Sequence, residues 1–310
     1  MSTPENIQQW HVTEPYVDLH CGLGEGPYYE KATKTLRFVD IKKNQLHTVS
    51  VTDGPASLTT LQLDERPTVT ANVSGLDPQH KLLVGLKYGI ALLDRPTARY
   101  EYLSRFAAAD NTRLRSNDGA ADPHGRFWLG TMTDFGLGDF QPEGSLYLFT
   151  PSSSSPFPSL IRTNLTIPNS VGWSPDRRTM YFTHSSARTV FAIGYDPETG
   201  ALGDDERVFY AHDGPGEPDG FRVDADGNVW HAVYGEAAVL KISPAGRVVG
   251  RVNLPTRNAT CVEFVGSELF VTTAGDEEGE GESKRFGGGC SGWTWGGGGW
   301  SILRLSCRGG

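Results

Sequence analysis

The chain has 310 residues, 37% of them hydrophobic and 21% charged, with a formal net charge of −9. That is enough apolar material for a large core, which excludes disorder as the main state. An acidic chain also offers no broad basic surface for a phosphate backbone or an anionic bilayer, so nucleic acid and membrane are not expected partners.

From the N-terminus, MSTPENIQQWHVTEP has no charged region followed by an apolar one, and no later run approaches the roughly 20 apolar residues of a membrane helix. A cytoplasmic protein, monomeric or weakly dimeric, is expected, with residues 1–14 as a tail. Cys21, Cys261, Cys290 and Cys307 form no CxxC pair and read as free thiols. The sequons at Asn72, Asn164 and Asn258 are expected to be idle. The 38 glycines and 19 prolines, many in turn dipeptides between short apolar runs, indicate an all-β chain.

One strand pattern recurs six times: Leu36–Val39, Leu82–Gly85, Phe127–Gly130, Met180–Thr183, Val229–Ala232 and Leu269–Thr272. Its central residues (Phe38, Leu83, Trp128, Tyr181, Trp230, Phe270) lie 45, 45, 53, 49 and 40 residues apart, a spacing that fits one four-stranded blade. Turn signals such as Asp77-Pro78, Asp122-Pro123-His124-Gly125, Ser174-Pro175-Asp176 and Asp224-Ala225-Asp226-Gly227 precede most copies. A further strand follows, as at 90–93, 145–149, 190–193 and 239–242. The spacing predicts one domain over 1–310, a six-bladed β-propeller, in which Tyr16–His20 supplies the outermost strand of the last blade. A pair of β-sandwiches needs no period near 45 residues. Two segments break the pattern: a Ser/Pro-rich loop at 152–158 and an acidic, then glycine-rich stretch at 275–300 within the last blade. The second carries Trp293, Trp295 and Trp300 and is expected to be mobile.

In a propeller the starts of the innermost strands converge on the axis, so polar residues at equivalent positions meet. Glu25, Asn117, Asn169 and Asp219 lie 13, 11, 12 and 11 residues before the central residues of their repeats. Singly, each is a turn former beside Gly, Asp or Pro. Their common offset instead points to an oxygen-rich cage on the axis, suited to Ca²⁺, Mn²⁺ or Mg²⁺ and acceptable to Zn²⁺.

The segments GLGEGP (22–27), RSNDGAADPHGRFWLGTM (115–132), PNSVGWSPD (168–176) and EPDGFRVDADGNVW (217–230) resemble the SMP-30/gluconolactonase/regucalcin family over roughly residues 15–275. The resemblance implies a six-bladed propeller with a central axial divalent cation and hydrolysis of a sugar lactone. It implies Glu25, Asn169 and Asp219 as metal ligands, Arg115 and Asn117 as substrate contacts, and Asp219 as general base. Phe135 stands where some members place an acidic substrate contact, with Asp134 one residue earlier, and His184 replaces a common aspartate.

Other motifs carry less. Asp224–Gly227 lacks the glycine spacing and flanking helices of an EF-hand and reads as a hairpin turn. Gly22–Gly26 is no dinucleotide loop, and there is no G-x-S-x-G elbow. His184 and His231 fall beside strand centres as structural histidines, Trp128 and Trp230 as core, and Asp276–Glu282 as a solvated loop. The expected function is metal-dependent opening of an aldono-1,4- or 1,5-lactone to the aldonic acid. The rivals are a calcium-binding regulatory propeller without turnover, an interaction scaffold, and a phosphotriesterase-like hydrolase.

Overall fold

A hairpin whose apolar residues repeat every second position must bury both faces when other sheets flank it, and the repeats do so here. The computed structural model describes residues 7–151, 157–292 and 303–304. Strand β1 (Gln8–His11) comes first in the chain. The first blade is β2 (Gly24–Glu30), β3 (Thr35–Asp40), β4 (Gln45–Ser50) and β5 (Thr59–Gln62). The second is β6 (Pro67–Ala71), β7 (Lys81–Leu86), β8 (Gly89–Asp94) and β9 (Arg99–Arg105). The third is β10 (Leu114–Ala121), β11 (Phe127–Thr133), β12 (Gly144–Phe149) and β13 (Ser159–Leu165). The fourth is β14 (Pro168–Trp173), β15 (Thr179–His184), β16 (Thr189–Gly194) and β17 (Arg207–Ala211). The fifth is β18 (Glu217–Val223), β19 (Val229–Tyr234), β20 (Ala238–Ile242) and β21 (Val248–Asn253).

Each recurrent pattern is the second strand of its sheet, as the period implied, and the all-β propeller is the observed architecture. The expectation of six equivalent blades is corrected: among the described residues five blades are complete. The remaining sheet has β22 (Ala259–Val265) and β23 (Glu268–Thr273), followed by a short helix α1 (Gly281–Phe286). Three-residue β24 (Cys290–Gly292) and two-residue β25 (Leu303–Arg304) then both pair with β23. The cause is local: in the other sheets the second strand is followed directly by the third, through a short turn or, in the third blade, the loop between Thr133 and Gly144, whereas here the chain leaves β23 through an acidic segment and α1. Tyr16–His20 contributes only a single bridge, Val17 to Cys290, and not a strand. Part of the expected tail is itself structured, because β1 pairs in parallel with β21 and Trp10 packs against Trp230 at 5.3 Å.

The segment after β23 is also corrected as far as Gly292. Asp276 is buried, accepts hydrogen bonds from Arg257 Nε at 2.8 Å and Nη2 at 2.6 Å, and from Ser283 Oγ at 2.5 Å. It anchors α1 and is not a solvated charge. The three tryptophans at 293, 295 and 300, the serine run at 152–156 and Cys307 lie outside the described residues. Cys21, Cys261 and Cys290 are free thiols. Among the described residues no helix is long and apolar enough to cross a membrane.

The core lies between the sheets. Phe38, Trp128, Trp230 and Phe270 are almost fully buried, Tyr181 nearly so, and Leu83 partly. Two tryptophans are tied to the turns before them: Asp122 accepts Trp128 Nε1 at 3.2 Å and Asp224 accepts Trp230 Nε1 at 2.9 Å. Asp224 also accepts the backbone N–H groups of Asp226 and Asn228, which makes 224–227 the expected hairpin turn. Asp122 is buried, yet bonds from Arg126 and Trp128 outweigh that burial and hold its carboxyl below the ordinary value. Replacing Asp122 by Ala strands the indole N–H, two backbone N–H groups and the Arg126 guanidinium. We expect a loss of about 2–4 kcal/mol, read as a lower midpoint in urea at unchanged slope.

Candidate functional site

The innermost strands β2, β6, β10, β14, β18 and β22 each pack on the next, and β22 packs back on β2. All six carry a register shift against their second strand near their start. The shifts fall at Glu25/Tyr28, Pro67/Val69, Ser116/Gly119, Pro168/Val171, Pro218/Phe221 and Ala259/Cys261. A bulge leaves residues unpaired and re-aims their side chains, so these six bulges form one level around the axis. Glu25, Asn117, Asn169 and Asp219 all belong to it. Small residues make the level possible: a Cβ on Gly220 would lie 2.5 Å from Cys261 Sγ, and one on Gly119 would lie 2.1 Å from the Trp128 carbonyl oxygen.

The predicted residues are brought together and buried. Asn169 Nδ2 donates to Asp219 Oδ1 and, at 3.2 Å, to Ser185 Oγ. Glu25 accepts the N–H of Gly26 at 2.9 Å. Burial, then the neighbouring Asp219 and Asp118 charges, push the Glu25 carboxyl well above its ordinary range. Burial and Asp118 do the same to Asp219. Two buried carboxylates thus repel each other, and among the described residues no Lys or Arg side chain bonds to either. Two carboxylates and an amide are hard donors, so Glu25, Asn169 and Asp219 fit a divalent cation.

Arg115 is the second residue of β10 and is 2% exposed. Its Nη1 donates to Ser116 O at 2.8 Å and to Asn117 Oδ1 at 3.0 Å, while Asn117 Nδ2 donates to Pro168 O at 2.9 Å. Burial lowers the Arg115 pKa to about 10, and Glu25 and Asp219 both lie within its electrostatic reach. The guanidinium and the carboxylates thus belong to one site. Asp134 is buried between Arg66 Nη1 at 2.5 Å and Lys87 Nζ at 2.7 Å, and the Phe135 ring lies 4.2 Å from Arg115 Cζ.

The histidines are structural. His184 Nε2 accepts the Thr166 N–H at 3.1 Å, and burial lowers the pKa of its ring. His231 is fully buried with a pKa near 4: Nδ1 donates to Ala232 O at 3.0 Å, which leaves Nε2 to accept from Thr183 Oγ1 at 3.0 Å.

Sequence reasoning missed Asp118. It sits in the same bulge as Asn117 and accepts Gly119 N at 2.7 Å and Ser170 Oγ at 2.5 Å; burial raises its carboxyl, partly offset by Ser170 and Arg222. The signal was present in the run Ser116-Asn117-Asp118-Gly119, where a bulge faces two successive polar residues inward. Thr68 and Thr260 hold the bulge level in β6 and β22 through bonds to Ser116 Oγ (2.9 Å) and Gly24 O (2.6 Å).

Two other features compete for attention. Cys21, Asp40 and His47 lie close together and buried. Asp40 is nonetheless occupied by four backbone N–H groups, those of Gly22, Leu23, Lys42 and Lys43, and burial with the Asp40 charge raises the Cys21 thiol, keeping it protonated. This is a capped turn packed on a thiol. A cavity of about 520 Å³ opens at the far ends of the inner strands, among Tyr28, Thr70, Ala121, Trp173 and Arg222. It includes none of Glu25, Asn169 and Asp219, so it is the other mouth of the channel.

Comparison with known proteins places the chain among relatives. The chain is 32% identical over 269 residues to the pentonolactonase XacC of Haloferax volcanii, covering 84% of each. It is 33% identical over 258 residues to the L-arabinolactonase of Azospirillum brasilense, covering 83% of this chain and 82% of that one. Among solved structures it resembles regucalcin of Agrobacterium tumefaciens, a calcium-binding protein, with a TM-score of 0.81, 26% identity, and coverage of 91% of this chain and 94% of that one. Residues 23–275 match the model of the SMP-30/Gluconolactonase/LRE-like region, and the chain belongs to that family.

Proposed function

We propose that the protein is a metal-dependent hydrolase that opens a sugar lactone, an aldono-1,4- or 1,5-lactone of the gluconolactone kind, to the free aldonic acid. The observation that carries this reading is the meeting of Glu25, Asn169 and Asp219 at one bulge level with, among the described residues, no cationic side chain bonded to them. The named lactonases among its relatives support the substrate class. The calcium-binding regucalcin supports a divalent cation, of the Ca²⁺, Zn²⁺, Mn²⁺ or Mg²⁺ group.

Glu25, Asn169 and Asp219 would hold the cation, which when bound would supply Lewis-acid stabilisation of the charge that develops on the lactone carbonyl oxygen. The chain's own residues do the rest. Asp219 accepts the proton of the water as its oxygen bonds to the carbonyl carbon, and returns that proton to the ring oxygen as the ester C–O bond breaks. Its neighbours are fixed before substrate arrives, since Asn169 holds Asp219 and Arg115 holds Asn117. Arg115 and Asn117 orient the sugar, which turns a bimolecular encounter into a positioned one. Burial of the site keeps bulk water away from these charges.

The test is acid release, followed with a pH indicator, from a panel of aldono-γ- and δ-lactones. Chelator-stripped protein is expected to be inactive and to recover with one equivalent of a divalent cation. Turnover unaffected by stripping would overturn the role given to the cation. No turnover with a cation still bound would move the reading to a calcium-binding protein.

A further inference from the structure

We propose that the mouth above the carboxylates selects lactones that carry a second, anionic group. This rests on the hydrolase reading and concerns the part of the substrate away from the ring that opens.

The strands alternate in direction, so the start of an inner strand and the end of the second strand open on the same face. Arg66 precedes β6 and Arg115 is the second residue of β10; Lys42, Lys87 and Asp134 follow the ends of β3, β7 and β11. All five therefore share the mouth of Glu25 and Asp219. The Lys87 carbonyl accepts the Ser116 N–H at 3.0 Å, which fixes that lysine beside the bulge of Asn117. The Phe135 ring gathers the cations: Arg115 Cζ at 4.2 Å, Arg66 Cζ at 5.3 Å and Lys42 Nζ at 5.8 Å from its centroid.

Four cations thus gather on this side of the mouth: Arg66 and Lys87 take the two oxygens of Asp134, Arg115 also faces Glu25 and Asp219, the pair assigned to the divalent cation, and Lys42 closes the group over Phe135. Among the described residues the neighbouring acids form no ion pair with them: Asp64 accepts a hydrogen bond from Tyr100, and Glu65 lies by Tyr100 and Tyr102. Across the mouth the arrangement differs: Arg257 is neutralised by Asp276. The buried Nε of Arg115 has no hydrogen-bond partner among the described residues. A neutral polyol needs donors and acceptors but no excess of like charge. A carboxylate, sulfonate or phosphate group offers what this side lacks, and guanidinium and ammonium groups bind it through charge-assisted bonds.

The test compares lactones that differ in one group: D-glucono-1,4-lactone against D-glucaro-1,4-lactone, which carries a carboxylate at the far carbon, and glucono-1,5-lactone against its 6-phosphate. The expected result is a kcat/KM about tenfold higher for at least one anionic member, shrinking in high salt as the pair is screened. Lys87→Met should reduce that ratio toward one, and Lys87→Arg should restore it. Neutral lactones opened as fast as anionic ones would overturn the proposal and leave the hydrolase reading intact. If neither is opened, calorimetry with glucarate and gluconate separates the two: tighter, Lys87-dependent binding of glucarate keeps the anion site while the hydrolase reading falls. Equal binding removes both.

Discussion

Asp219→Asn is expected to lower kcat/KM for lactone opening by on the order of 10³-fold or more and, in cation-free protein at pH 8, to raise the melting temperature. The two effects have opposite signs for one reason. The Asp219 carboxyl is held well above its ordinary range by burial and by Asp118, so its charge at neutral pH is a cost to the fold. The amide keeps the shape, and an oxygen for Asn169 to donate to, but cannot take a proton from water. Loss of a general base alone is worth about 10²–10⁴ in rate, and loss of a charged cation ligand adds to it. Removal of a repelled buried charge stabilises the cation-free chain, as at other sites where function is built on local instability. Activity is read by acid release and stability by thermal melts in chelator. A variant that keeps most of its activity would refute Asp219 as base. One that loses activity together with stability would point to a structural role in the bulge of β18.

How much of this was legible in the sequence follows from the bulges. The near-constant offset of Glu25, Asn117, Asn169 and Asp219 was visible because each precedes a turn and a second strand of fixed length, so equal spacing along the chain becomes equal height on the axis. Asp118 was not visible, since alternation along a strand turns neighbours to opposite faces, and only the shift between Ser116 and Gly119 leaves both Asn117 and Asp118 out of the ladder. The parallel pairing of β1 with β21 depends on Trp10 finding Trp230 across more than 200 residues, which no local pattern records. The sixth sheet departs from the period for a related reason. The run Asp276–Glu282 looks solvated by composition, and the contact that orders it, Arg257 with Asp276, comes from a loop on the other side of β22 and β23.

Divalent cation should stabilise the wild-type protein more at pH 8 than at pH 5, and this difference should shrink in Asp219→Asn, which leaves Glu25 as the one proton-carrying ligand of the pair. In the unfolded chain the carboxyls of Glu25 and Asp219 titrate near their ordinary values of 4.5 and 3.8, whereas in the fold both are raised. Between those values the folded state holds protons the unfolded state has lost. The contribution of this pair to stability is therefore fully present at low pH and declines as pH rises above about 4.5. A cation must displace the same protons to bind, so at low pH it competes with them and at high pH it relieves an unbalanced charge. At a concentration about a hundred times its dissociation constant, linkage gives about 2.7 kcal/mol, a rise of roughly 5 °C in a chain of this size. Other carboxylates, Asp122 and Asp134 among them, are lowered in the fold and shift stability in the opposite sense. The comparison of melts with and without cation at each pH cancels their part, because they contribute equally to both. A cation effect independent of pH would mean that Glu25 and Asp219 are not its ligands, and the site would have to be sought among residues that carry no proton to displace.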